Sequence, residues 1–149
     1  MKRIIYVLVL GALLLAPTKR NDVGKLRPVE SIALFKENGQ YVIATDTEDR
    51  GQGETVEKAI ENLIQTTPAI IYLDTADYLL ISREALPGIQ ELSGMLRESV
   101  QLYQFQGQPD MKTVSQFLRV HGDGPNLKQY RNPEQLQVLD CTGKRMKIL

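Results

Sequence analysis

Carboxylates, glycines and one basic side chain crowd the stretch Asp46-Thr47-Glu48-Asp49-Arg50-Gly51-Gln52-Gly53-Glu54, and two kinds of chemistry use such residues. Counted from Asp46 as position one, Glu48 falls at three, Gly51 at six, Glu54 at nine and Glu57 at twelve, close to the spacing of a calcium-binding loop. Position five is Arg50, a cation where a ligand belongs, and the segment before the loop reads as a strand where a calcium loop has a helix. Gly51 and Gly53 ahead of a helix also fit a loop whose backbone amides approach a phosphate. Asp46, Glu48, Asp49 and Glu54 oppose an anion there, and no Gly-Lys-Thr ending follows. The residues favour a solvated acidic loop feeding a helix N-terminus, with Asp46, Glu48, Glu54 and Glu57 kept as calcium candidates.

Asp74 and Asp77 flank an expected turn between two strands, and two carboxylates held close push their pKa values apart, as an acid and base pair requires. Nothing else in the sequence completes such a site, and Asp is a routine turn residue because its side chain bonds nearby backbone amides. His121 suits the dipole at a helix C-terminus as well as it suits a base. Ser82, Ser93, Ser99 and Ser115 have no second histidine to activate them, and no G-x-S-x-G elbow occurs. With one His and one Cys, the chain lacks the residues for a His/Cys zinc set, an internal disulfide or a two-cysteine redox centre, and Cys141 reads as a small half-buried side chain. The expectation is a protein that is not an enzyme, with no catalytic residue and no cofactor.

Length and composition frame these residues. The chain has 149 residues, 42% apolar and 24% charged, with 18 basic and 18 acidic groups. That is one globular domain with enough apolar content for a packed core. Setting aside Lys2 and Arg3 leaves the remainder slightly acidic, so a nucleic-acid partner is not expected. Ile4 to Ala16 is an unbroken run of apolar residues and glycine, preceded by Lys2 and Arg3 and followed by Pro17, Thr18, Lys19 and Arg20. Residues 1–20 therefore read as a signal peptide or signal anchor. As a helix the run spans roughly 20 Å, short of a roughly 30 Å hydrocarbon layer. Cleavage wants small residues in an A-x-A pattern, which Ala16-Pro17-Thr18 matches weakly. The body is expected outside the cytoplasm, secreted or held at a membrane.

Residues 21–30, with Gly24 and Pro28 and no hydrophobic period, read as a linker, and 31–149 as a single α/β domain, with α+β the alternative. Ser31–Phe35 and Tyr41–Thr45 around Asn38-Gly39 predict a hairpin. Val56, Ala59, Ile60, Leu63 and Ile64 predict a helix capped by Thr55, with Glu57 in its first turn. Ala69–Leu73 and Tyr78–Ile81 predict two strands. Pro87 and Gly88 open a second helix carrying Ile89, Leu92 and Leu96, and Val100–Phe105 follows as a strand. Asp110 can cap a third helix that turns Met111, Val114, Phe117 and Leu118 inward. After about residue 122 the pattern becomes irregular, with Leu136–Cys141 as a last strand. The architecture expected is a mixed sheet of about five to six strands with three helices packed on it, preceded by the apolar leader helix.

Four segments, SIALFKENGQYVIAT, GQGETVEKAIENL, PAIIYLDTADYLLIS and REALPGIQELSGMLRESVQLYQFQG, run from about Val29 to Gly107. In order and pattern they resemble the N-terminal domain of the Ger(x)C family, the C subunits of germinant receptors in endospore-forming bacteria. The resemblance implies a non-enzymatic protein on the outer face of the spore inner membrane. Its implied role is accessory or binding work in germinant sensing, alongside integral-membrane receptor subunits. Family members are lipoproteins of greater length, whereas this chain has Pro17 after Leu14-Leu15-Ala16 where the lipid-bearing Cys belongs. Anchoring then falls to the leader itself. The alternative expectation is an exported module that binds a ligand or cation.

Overall fold

Asn38 and Gly39 adopt the left-handed region, with φ of 51° and 80°, and close a two-residue turn between β2 (Ser31–Glu37) and β3 (Gln40–Thr45). Two successive positive φ angles match the right-handed twist of a hairpin, which is why Asn-Gly serves there. β1 (Leu26–Pro28) precedes this hairpin, so part of the expected linker is a strand. The computed structural model describes residues 26–143 and 145–149; the leader and the first half of the linker lie outside the described residues.

The hairpin does not end in an acidic loop. Only Asp46–Asp49 form a turn, with Glu48 at a φ of 66°, and β4 (Arg50–Gly53) then runs antiparallel to β3 as an edge strand of the sheet. Thr55 caps α1 (Val56–Thr66) by accepting a hydrogen bond from the Lys58 N–H at 3.2 Å. Val56, Ala59, Ile60 and Leu63 are buried as expected, but Ile64 is 58% exposed. α1 lies directly on β4, and glycine makes this possible. A Cβ added at Gly51 would fall 2.2 Å from the Ala59 carbonyl oxygen, and one at Gly53 would fall 2.6 Å from the Ala59 nitrogen. The outward N–H of Gln52 is taken by Asn62 Oδ1 of α1 at 3.0 Å.

β5 (Ile70–Tyr72) leaves the main sheet and pairs in parallel with β1, in the register Leu26 with Ile70 and Pro28 with Tyr72. β6 (Tyr78–Ser82) returns beside β2 in parallel. A 3-10 turn over Arg83–Gly88 leads into α2 (Ile89–Ser93), shorter than the apolar pattern predicts. Ser93 Oγ bonds back to the Gln90 carbonyl at 2.7 Å and Gly94 follows, so the helix stops, although Leu96 still reaches the core. β7 (Gln101–Gly107) lies parallel to β6, and α3 (Met111–His121) follows. Gly122–Leu136 has no longer element than the 3-10 turn at Pro133–Gln135, yet it is anchored. The Leu102 N–H donates to the Pro125 carbonyl, the Leu127 N–H to the Val100 carbonyl, and the Gly124 N–H to the Tyr103 hydroxyl at 2.7 Å. β8 (Gln137–Cys141) then joins β7 in parallel, and β9 (Lys147–Ile148) joins β8 antiparallel.

The sheet order is β4-β3-β2-β6-β7-β8-β9, a seven-stranded mixed α/β sheet with a second, two-stranded sheet beside it. Of its inner strands, β2 and β6 bury residues on both faces, and so read as continuous apolar runs over Ile32–Phe35 and Leu79–Ile81. On one face Ile32, Leu34, Leu79, Ile81 and Leu102 pack against α1, α2 and the Leu127–Leu136 stretch. On the other, Ala33, Leu80, Tyr103, Phe105 and Leu139 pack against Met111, Val114 and Leu118 of α3. α3 is pinned to β2 by a buried hydrogen bond from Ser115 Oγ to Ser31 Oγ at 2.5 Å, and by Arg119, whose Nε donates to Glu30 Oε1 at 2.9 Å. The chain thus leaves β6 toward one face and β7 toward the other. In open parallel sheets this divergence opens a crevice at the strand carboxyl ends.

Candidate functional site

Gly107, at a φ of 86°, ends β7 and swings the chain through Gln108 and Pro109 to α3. Two neighbouring grooves share this corner, both lined by Gln108 and Asp110. The larger, about 710 Å³, runs between the outer side of α3 and the β8–β9 connection. Phe117, Val120, Cys141 and Met146 give it apolar walls, while Asp110, Thr113, Gln116 and Arg145 supply polar groups. Phe117, expected in the core, is only half-buried and forms the groove wall, and Val120 is 75% exposed. The smaller groove, about 470 Å³, lies over Phe35 and Phe105, whose rings meet edge-on at 6.2 Å, with the Arg50–Glu37 ion pair at its rim. Ser82, at the end of β6 and in register with Phe105, has a buried hydroxyl with no hydrogen-bond partner.

The larger groove combines a carboxylate and a thiol whose pKa values are shifted in opposite directions. The Thr113 hydroxyl donates to Asp110 and holds that carboxyl below its usual range, so Asp110 is ionised at neutral pH. Burial, with a smaller contribution from Asp140, pushes the Cys141 thiol up to about 11. A thiol at neutral pH is a poor nucleophile, since the thiolate is the reactive form. His121 lines the same groove, with its ring 4.8 Å from that of Phe117 at a tilt of 41°. An apolar wall with a few convergent polar groups is the usual make-up of a small-molecule site.

The residues singled out from sequence are scattered and bonded elsewhere. Asp46 accepts from the Glu30 and Ser31 N–H groups at 3.1 and 3.3 Å, tying the turn to the start of β2. Burial raises its pKa, and those two hydrogen bonds restrain the rise. Glu54 pairs with Lys58 at 2.9 Å on the surface, and Glu48 and Glu57 are exposed. Among the described residues no group of three or more His, Cys, Asp or Glu side chains is placed to hold a metal ion, so the calcium spacing does not become a calcium geometry. Gly51 and Gly53 serve the contact with α1, whose backbone lies where their Cβ atoms would be. Asp77 accepts from Arg97 Nη2 at 2.7 Å, and the same guanidinium nitrogen donates to the Thr75 carbonyl at 3.0 Å. Asp74 and Asp77 are exposed, and neither lines either groove.

Sequence reasoning missed the larger groove. Its one local signal is that α3 carries apolar residues outside the Met111, Val114 and Leu118 stripe, at Phe117 and Val120. Among the described residues no helix is long and apolar enough to cross a membrane. No family model, no curated protein and no solved structure matches this chain.

Proposed function

We propose that the chain is a non-catalytic binding or accessory domain, held outside the cytoplasm at a membrane by its apolar leader. The observation that carries the binding half is the groove between α3 and the β8–β9 connection. It offers an ionised Asp110 and a cationic Arg145 around an apolar wall, and its cysteine is un-ionised. Such a surface suits a small ligand with an apolar body and charged ends. The leader supports the address: the run Ile4–Ala16 between basic flanks has the outline of an export signal.

Fractionation of cells expressing the chain with a C-terminal tag tests the address. The tag should sediment with membranes or appear outside the cell, and in spheroplasts it should be cut by added protease. Soluble cytoplasmic material that keeps an intact leader would sink the reading. The narrower role, accessory work in germinant sensing as in the Ger(x)C family, is tested by deletion in a spore-forming host. Spores lacking the gene should respond more slowly to a nutrient mixture, and an unchanged response removes that role while leaving the address standing.

A further inference from the structure

Among the described residues, the two-stranded sheet outside the main fold presents an uncovered apolar face. Ile71 packs against the core, so its neighbours Ile70 and Tyr72 point away from it, and they are 46% and 42% exposed. The register places Leu26 beside Ile70 and Pro28 beside Tyr72, and side chains of paired residues share a face. Ile70, Tyr72 and Pro28 thus look outward from β1 and β5, with Leu26 half-buried at the edge of the same face. An exposed apolar face of this kind marks a contact surface.

The chain that leads into this face limits what can cover it. Leu26, part of the face, is separated from the end of the apolar run at Ala16 only by Pro17–Lys25. Fully extended, that connector reaches about 30 Å. It carries Lys19, Arg20 and Lys25 against the single acidic Asp22. Basic residues next to an apolar anchor are attracted to anionic lipid headgroups, and tyrosine is favoured at the water–lipid boundary. We propose, resting on the tethered reading above, that the outward β1–β5 face seats on the lipid surface of the membrane holding the leader. The body would then lie against the bilayer with that face down and both grooves set on other elements.

The chain contains no tryptophan, so one introduced residue reports alone. The full chain is reconstituted into vesicles of phosphatidylcholine and phosphatidylglycerol as Tyr72→Trp or as Glu84→Trp. Glu84 is exposed beyond the carboxyl end of β6, at the opposite end of the strands from β1. Tyr72→Trp should emit at shorter wavelength than Glu84→Trp and lose intensity with brominated lipid, while Glu84→Trp keeps the emission of a water-exposed indole. Adding Ile70→Glu to Tyr72→Trp should return its emission to the aqueous value while the chain still floats with the vesicles. Aqueous emission from Tyr72→Trp in a floating chain overturns the seating and leaves the tether intact. Equal quenching at both positions also overturns it, and a full chain that fails to float overturns the tether and the seating together.

Discussion

Replacing Gly51 by alanine places a methyl group 2.2 Å from the Ala59 carbonyl oxygen, 2.5 Å from the Leu63 nitrogen and 2.6 Å from the Leu63 Cβ. Ordinary van der Waals contact begins near 3.4 Å, so α1 must retreat by about 1 Å or β4 must leave its ladder. Two of the three obstructing atoms are backbone, so no rotamer change relieves the overlap. A gap of 0.5–1 Å forfeits roughly a quarter to a half of each dispersion contact, and the retreat opens such gaps beneath Val56, Ala59, Ile60 and Leu63. Overpacking typically costs about 1–3 kcal/mol. A clash against backbone on both elements belongs at the top of that range, so about 3 kcal/mol is expected, or a fall in Tm of roughly 10 °C for a domain of this size. Urea and thermal denaturation of the full chain measure it, with an unchanged urea m-value showing that the same unit unfolds. Gly94→Ala is the control, because nothing lies within 4 Å of the added carbon and the backbone is already helical at a φ of −67°. It should stay within about 0.5 kcal/mol of the parent. A Gly51→Ala chain as stable as the Gly94→Ala control would refute the close-packing argument, and if that chain also lost affinity for inorganic phosphate, the anion-loop reading would return.

The Ser31–Ser115 hydrogen bond is buried, so Ser115→Ala or Ser31→Ala strands its partner and should cost about 1–2 kcal/mol. The double variant should lose less than the sum, and strictly additive losses in a double-mutant cycle would show that the two hydroxyls are not paired. Ser82→Ala removes a hydroxyl with no partner and should be neutral or stabilising by up to about 1 kcal/mol; a clear loss of stability would point to a partner for that hydroxyl in solution. Cys141 should react with iodoacetamide about 100-fold more slowly at pH 8 than a free thiol, the factor expected for a two-unit rise in pKa, and the rate should climb as pH approaches about 11. Because its folded pKa lies above the ordinary 9.0, the thiol's contribution to stability is intact below pH 9 and is lost as pH rises toward 11; modification at the rate of a model thiol would contradict the burial.

Local chemistry made the hairpin and α1 legible. Asn38-Gly39 specifies its turn without help from the rest of the chain, and the Val56–Leu63 stripe with the Thr55 cap specifies a helix. β4 was not legible, because Arg50-Gly51-Gln52-Gly53 has no strand-forming residue. It is a strand because its glycines admit α1, which is a tertiary cause overriding propensity. Ile70–Tyr72 has the apolar pattern of a strand, but its partner, Leu26–Pro28, lies in a stretch without hydrophobic period, so its separation from the main sheet leaves no mark in either segment. The grooves were hidden for a similar reason: Asp110 and Phe117 come from one segment and Cys141 and Arg145 from another, and the two meet only after β8 docks on β7. Asp46, Glu48, Glu54 and Glu57 share a spacing with metal loops, but Asp46 is bound to the start of β2 and Glu54 to Lys58, which sets spacing apart from convergence.

The bond from the Gln52 N–H to Asn62 has a consequence for crowding. A bare margin of a β-sheet is a template on which a second chain can add a strand, and short edges covered by a helix are how such growth is discouraged. In this fold the same helix that fills the glycine notches reaches over with an amide to occupy a donor on that margin. On the tethered reading proposed above, copies would share one surface at high local concentration, where edge-to-edge polymerisation would be most favoured. Asn62→Ala should therefore leave the monomer folded but promote concentration-dependent self-association, visible by light scattering.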